Sequence, residues 1–506
     1  MLAAALIATQ YLVADGTAPA AWLRDREAFI RRMSERMEAP RLPVVYHLDE
    51  SFVAAARSRR SIEVVDDCGT ALCGVATDEL PGWWDVADVR ALATPADAPR
   101  RERDAYAAAI TGWFGDDVDA VAADERRAGV FARWSDIASE EDELVFVPAA
   151  ASLIRTLDPE HKLSFAEVSK RVSALGPNEE MRWLQRLESH SAPRHLDNST
   201  TLRGATLSVV NAPERSTISD VAKQQIETLH RTGYRAISLM PFAVQRGAES
   251  SELRRLASSP GSETDLSMLL PAARAHRLGM QVLLKPHVWL WPGGDATRIA
   301  ARDWPAWFAS YARVLTHEAL LARAMHAEWL CVGTELTRSE SRAEWPRLIA
   351  RIRALYHGGI TYAANFDAFE KTPFWRDVDA IGIDAYFPLS SDANASDADL
   401  RAGAHRIVER IEKVARAAGK PVILTELGYA NVHAPWVEPW LEQRGDESAP
   451  AEQARAFAAM LDAVSKSPLI RGFFIWKYES DPSVRNGSGF HPQNQPAEAV
   501  IKHFLH

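Results

Sequence analysis

The chain is 506 residues long, with 47% hydrophobic and 25% charged residues and a net charge of -10 before its 15 histidines are counted. That is ordinary globular composition on a length too great for one core, so two or three domains are expected. The acidity argues against a nucleic-acid partner, which would demand a basic face, and leaves a neutral substrate open.

The opening stretch, "MLAAALIATQYLVADG", has an apolar run without a basic segment before it. It makes a poor export signal and is too short to span a bilayer, so a cytoplasmic chain without a membrane partner is expected. Up to about residue 190 the sequence is polar and Arg-rich, with helical spacing in "AAWLRDREAFIRRMSERM", "SFAEVSKRVSAL" and "EEMRWLQRLESH". Short strand-like pieces, "LPVVYHL", "SIEVVDD" and "ELVFVP", interrupt them. The tryptophan pair in "PGWWDVADV" reads as buried or interface aromatics sooner than as a sugar-stacking surface. Cys68 and Cys73 flank "GTAL" and are close enough in sequence to close a small loop, but no secretory context favours a bridge. They also lack further ligands for a zinc site. The turn-rich "HSAPRHLDNST", 189–199, marks a boundary between a smaller, mostly helical α+β domain, 1–195, and a second domain, 196–506.

Beyond it the rhythm changes. Apolar runs recur as "ATLSVV", "YRAISLMPF", "MQVLLKPHV", "EWLCVGTEL", "ITYAANF", "VDAIGIDAYF", "PVILTELGY" and "RGFFIWKY", separated by amphipathic helical patterns. Several of those patterns close on a glycine, an ordinary C-terminal stop. Near-continuous apolar strands alternating with helices predict a parallel sheet buried on both faces. Eight such units in about 300 residues predict a (β/α)8 TIM barrel. An open doubly wound sheet would carry a phosphate-binding glycine loop after its first strand, and "SVVNAPERST" has none.

In such a barrel the working side chains lie at the C-terminal strand ends. The third strand ends in Lys285 and His287, with Trp289 and Trp291 just beyond; the fourth ends in Glu335 and the fifth in Asn365 and Asp367. The sixth ends in Asp384 and Tyr386, the seventh in Glu426 and Tyr429, the eighth in Trp476 and Tyr478. Strands four and seven lie across the mouth from each other, so Glu335 and Glu426 can face one another over a bound molecule. Two carboxyl groups walled by tryptophan are the equipment of glycoside hydrolysis, one to protonate the leaving oxygen and one to attack or to activate water. Tryptophan suits the C–H face of a pyranose, and Lys, His and Asn reach its hydroxyls. Singly, each residue has a plainer use: a strand-end glutamate caps a helix, a histidine is hydrogen-bonded in the core, a Tyr or Trp packs. Their occurrence at successive strand ends shifts the balance. The candidates come mostly one per strand, without a His-x-His or His-Glu-x-x-His cluster, so no metal is expected.

Residues from about 203 to 506 resemble glycoside hydrolase family 113, a β-mannanase family in the clan of (β/α)8 retaining hydrolases. The resemblance rests on "LLKPHV", "WLCVGTEL", "VDAIGIDAYFPL", "PVILTELGY" and "FFIWKYE", with "HPQNQPAEAVIKHF" at the close. It implies that Glu335 is the acid/base and Glu426 the nucleophile, that Tyr386 orients the nucleophile, and that Trp476 forms the floor under the attacked sugar. It further implies carboxyl groups about 5–5.5 Å apart, a covalent glycosyl-enzyme intermediate and no cofactor. The expected substrate is β-1,4-mannan or manno-oligosaccharide. Lys285, His287, Trp289, Asn365 and Asp384 are the further candidates for contact with it. Thr334 departs from the asparagine that much of the clan places before its acid/base. That substitution keeps open a glucan, galactan or envelope glycan as substrate, and a carbohydrate-binding barrel without turnover stands as the non-enzymatic alternative.

Overall fold

The computed structural model describes strands Leu12–Asp15, Val44–His47 and Ile62–Val65, scattered helical residues between 26 and 90, and the chain from residue 93 on. Outside the description from there lie 96, 191–200, 211–214, 257–263, 442–446, 485–486 and 506. Trp83, Trp84, Cys68, Cys73, the first eleven residues and most of 189–199 therefore fall outside the described residues. The chain divides into two compact units, Met1–Pro193 and Arg194–His506.

In the first unit the three short strands form a parallel sheet. Helices follow at Arg100–Thr111, Val118–Arg127, Trp134–Ala138, Glu143–Leu157, Phe165–Ser173 and Pro177–Glu188. One expectation is corrected here. "ELVFVP" is not a strand but the start of Glu143–Leu157. A short apolar run carries no period of its own, and its neighbours decide. Asp142 caps the helix by accepting from Leu144 N at 3.1 Å, and apolar "AAASLI" continues the pattern, so every residue from Leu144 to Ile154 is buried. A helix apolar all round is a central helix.

The second unit is a closed barrel of eight parallel strands. They are β1 (Leu202–Ser208), β2 (Ala236–Leu239), β3 (Gln281–Leu284), β4 (Trp329–Thr334), β5 (Gly359–Asn365), β6 (Ala380–Asp384), β7 (Val422–Leu427) and β8 (Ile470–Glu479). Among the described residues seven α-helices surround them: α1 (Asp220–Thr232), α2 (Asp265–Arg277), α3 (Trp304–Ala324), α4 (Glu344–Leu355), α5 (Asp397–Ala418), α6 (Pro450–Ser465) and α7 (Pro496–His503). The β5–β6 connection, 366–379, is built of turns instead of a helix. The expected TIM barrel is present, each strand within a few residues of its predicted run. Its interior draws on every strand: Leu202, Ala236, Leu283, Trp329, Cys331, Ala363, Ala380, Ile423 and Phe474 form one buried cluster. Large residues such as Trp329 and Phe474 share it with small ones such as Ala236, Ala363 and Ala380, so the barrel is filled by side chains. Gly204 is the sharpest case, since a Cβ there would stand 2.2 Å from the Phe474 ring.

Two predicted runs, "YRAISLMPF" and "MQVLLKPHV", each contain two strands. Pro241 and Pro286 follow β2 and β3 and end their ladders. The chain then continues as Phe242–Arg246 and His287–Trp291, which pair in parallel, while Leu253–Arg255 pairs antiparallel on the other side of the first. This small sheet stands beyond the C-terminal ends of β2 and β3, at the mouth. Among the described residues no helix is long and apolar enough to cross a membrane, and no group of three or more potential metal ligands is found.

Candidate active site

The strand ends carry a continuous polar line around one side of the mouth. On β4 the register with β5 slips between Cys331 and Thr334. A bulge of this kind re-aims the residues after it. A Cβ on Gly333 would meet Tyr362 at 2.8 Å and Trp345 at 3.0 Å, so only glycine lets β4 pass that close. Glu335 follows with φ +52°, a left-handed turn rare for a residue with a side chain. Its N–H donates to Ala363 O at 2.8 Å, and its Oε1 accepts from Asn365 Nδ2 at 3.1 Å. Asn365 is level with Asp384 on β6, and Asp384 with Glu426 on β7. Four successive strands thus bring Glu335, Asn365, Asp384 and Glu426 into one row.

Lys285, 0% exposed, ties that row together from across the barrel. Its Nζ donates to Asp384 Oδ2 at 3.1 Å and to Glu426 Oε1, and lies 3.3 Å from His287 Nε2. Burial alone would lower the Lys285 pKa, but Asp384 and Glu426 hold it above its ordinary value, so it is a fixed ammonium. Glu426 Oε2 accepts from Tyr386 Oη at 2.5 Å. Both oxygens of Glu426 are thereby held by donors. Asp384 also accepts from Thr425 Oγ1 at 2.8 Å. Burial, then the charge of Glu426, push its carboxyl up to about 7.

Glu335 sits in the opposite environment. Burial first, and then the charges of Asp384 and Glu426, raise its pKa well above the usual carboxylate range. Glu426 is gripped by donors, whereas Glu335 is the carboxyl pushed toward its protonated form. His287 is half-buried beside the Lys285 ammonium, and desolvation and that charge push its pKa well down, so its ring is neutral. Because Nε2 faces an ammonium donor, the ring proton belongs on Nδ1. Tyr386 closes an apolar cluster with Ala430, Val432 and Phe490, against which Phe366 and Trp476 pack. Trp476 also lies over His287, with centroids 6.2 Å apart and planes 23° off parallel. Trp289 and Trp291 stand on the small sheet, 42% and 52% exposed.

The candidates read from strand ends therefore separate. Lys285, His287, Glu335, Asn365, Asp384, Tyr386, Glu426 and Trp476 converge; Trp289 lies farther out on the same face as His287. Asp367 is exposed beyond Asn365. Tyr429 is fully buried against Phe457, and Tyr478 bonds Tyr234 Oη at 2.9 Å in the core. Two contributors were missed. Thr425 was legible as a lone hydroxyl in the apolar "VILTEL" of β7. Trp440, 42% exposed and stacked on Phe366 at 5.2 Å, comes from a long loop in which no period points to it.

The model of Glycoside Hydrolase Family 113 matches residues 210–488. The chain belongs to glycoside hydrolase family 113. The barrel, with its carboxyl row at the strand ends, is the fold of this glycoside hydrolase. Among solved structures, the GH113 β-mannanase of Alicyclobacillus acidocaldarius in complex with ManMIm is 25% identical, with a TM-score of 0.55, over 61% of this chain and 98% of that one. A GH113 β-1,4-mannanase complex shares the fold at 23% identity and a TM-score of 0.54, over 60% of this chain and 99% of the other. No match was found among curated protein sequences. The matched region of family 113 leaves the first 209 residues outside it.

Proposed function

We propose that this family 113 glycosidase cleaves β-1,4-mannan or manno-oligosaccharides with retention, using Glu426 as nucleophile and Glu335 as acid/base. The observation that carries the reading is the opposed state of the two glutamates: Glu426 gripped by Lys285 and Tyr386, Glu335 kept protonated by burial and its acidic neighbours. In the first step Glu426 attacks the anomeric carbon while Glu335 gives its proton to the departing oxygen. The charge that raised the Glu335 pKa falls once Glu426 is esterified, so Glu335 becomes the base that takes a proton from the incoming water. Asn365 holds Glu335 for both transfers. Lys285 and Asp384 are fully buried and act through Glu426 as positioning residues, not as sugar contacts. Trp476 supports the ring of the attacked sugar and His287 offers a neutral donor to its hydroxyls. Thr334 donates to Pro286 O at 3.0 Å, so its hydroxyl proton is not free for the sugar; His287 takes over that polar contact.

Proton NMR of the first product formed from a β-1,4-manno-oligosaccharide tests the mechanism. The β-anomer is expected first, and azide should rescue Glu426→Ala by forming the α-mannosyl azide. An α-anomer as first product, or wild-type activity in Glu426→Ala, overturns it. Binding of the oligosaccharide without any turnover by the wild type would point to a carbohydrate-binding barrel instead.

A further inference from the structure

The small sheet at the mouth presents two faces of opposite character. Along its strands, alternate side chains point to opposite sides. Ala243, Gln245, Leu253, Val288 and Leu290 are buried. The other face carries Val244, Arg246, Arg254, Trp289 and Trp291, brought side by side by the register Val244↔Trp289, Arg246↔Trp291 and Val244↔Arg254. These five residues, with Glu252, line a cavity of about 530 Å³. Trp289 and Trp291 meet edge to face at 6.0 Å. On a strand they stand roughly 7 and 13 Å beyond His287, the reach of sugars neighbouring the one attacked.

The face is held from behind. Trp307 Nε1 donates to Gln245 Oε1 at 2.8 Å, Leu253 N to Ser310 Oγ at 3.0 Å, and Arg255 to Glu318 Oε1 at 3.0 Å and to Asp265 Oδ1 at 2.5 Å. Three keys into α3 and α2 thus fix the sheet before a ligand arrives, as a binding surface requires. What it offers a ligand is unusual for a neutral sugar. The outward charged groups are the guanidinium ions of Arg246 and Arg254 and the carboxylate of Glu252. Arg254 is shared with Glu252, at 2.7 and 2.9 Å. The Arg246 guanidinium is exposed and has no hydrogen-bond or ion-pair partner among the described residues. In a chain of net charge -10 this is a local cationic spot beside two stacking rings. A guanidinium fork matches carboxylate or phosphate oxygens in two parallel bonds, and hydroxyls less well.

We infer that the Trp289–Trp291 face, with Arg246 beside it, is a subsite for sugars bearing an anionic substituent, a carboxylate or a phosphate, so that the substrate is an acidic β-mannan-type glycan. The inference rests on the proposed glycosidase reading and names the substrate class of the same site. Tryptophan supplies the stacking on ring faces, and Arg246 reads the charge.

Three matched β-1,4-manno-oligosaccharides test it: the neutral chain, one carboxylated at C6 of the sugars distal to the cleavage point, and one phosphorylated there. For the wild type at low salt, kcat/KM should favour at least one charged chain by roughly tenfold, the typical scale of one charge-assisted contact. The two charged arms tell carboxylate from phosphate. Arg246→Ala should bring the charged-to-neutral ratio to about one, Arg246→Lys should restore only part of it, and 0.5 M salt should shrink it because the contact is exposed. Equal or poorer turnover of both charged chains by the wild type, or a preference that survives in Arg246→Ala, overturns the inference while neutral-chain turnover keeps the glycosidase reading intact. If no chain is turned over, calorimetric binding of the same three to wild type and Arg246→Ala decides. An Arg246-dependent preference for charge then upholds this subsite although the hydrolytic reading has failed, and its absence removes both.

Discussion

Seven residues of chain, Lys285 to Trp291, pass from the most enclosed part of the molecule to one of its most exposed. Lys285 is 0% exposed and surrounded by fixed partners; Trp291 is 52% exposed, its ring meeting Trp289 edge to face. The first kind of site makes charge chemistry: out of water, each interaction of Lys285, Asp384 and Glu426 is strong, and each missing partner is costly. The second kind makes recognition: aromatic faces and a guanidinium in water bind weakly one by one and choose among substrates by their sum. The difference teaches where a substitution alters rate and where it alters preference.

Breaking the enclosed half should cost most. Glu426→Ala should lower kcat by roughly 10⁴-fold or more, measured by product release, as loss of a nucleophile generally does. Lys285→Met leaves Asp384 and Glu426 facing each other without a cation. A denaturant melt should show destabilisation of about 3–5 kcal/mol, part of it recovered in Lys285→Met/Asp384→Asn, because the double variant removes one of the two facing carboxyl groups. The pH dependence gives a third comparison. Asp384 is pushed up to about 7 in the folded chain, against about 4 unfolded. The folded state keeps a proton that the unfolded chain has released, so stability should fall as pH rises from about 4 to about 7, by on the order of a few kcal/mol. The raised pKa of Glu335 acts in the same direction. Asp384→Asn should flatten that slope in melts across this range; an unchanged slope would detach it from Asp384.

The exposed half should respond more gently. Trp291→Ala should raise KM for a long oligosaccharide roughly tenfold with kcat within about twofold, since stacking of this kind is worth about 1–1.5 kcal/mol. A kcat loss larger than the KM change would place Trp291 in the chemistry and erase the distinction between the two halves. Gln245→Ala, which removes the Trp307 contact behind the sheet, should have the smallest effect: about 1 kcal/mol in stability and a few-fold in KM.

Much of the barrel was legible because its strands are buried on both faces. "ATLSVV", "PVILTELGY" and the rest are short, apolar and evenly spaced, and no other architecture absorbs eight of them. Glu335 and Glu426 stood out for the same reason: a carboxylate ending an apolar strand has few uses. The roles within the site were less legible. Lys285 and Asp384 read as sugar contacts, yet both are fully buried, and only the closed barrel sets the end of β3 opposite the ends of β6 and β7. The small sheet escaped notice because "YRAISLMPF" and "MQVLLKPHV" read as single strands; the ladders of β2 and β3 end at Pro241 and Pro286, and the chains pair again farther out. "ELVFVP" failed as a strand because so short an apolar run fits either period.

The sequence by itself determined which side chains stand at the strand ends, since hydrophobic period and turn residues are local properties. Only the tertiary structure decided which of them is gripped by donors, which is pushed toward its acid form and which is the buried ammonium. That choice depends on burial and on charges delivered from strands 50 to 140 residues away, such as the Lys285 bonds to Asp384 and Glu426, and no local pattern encodes a neighbour across the barrel.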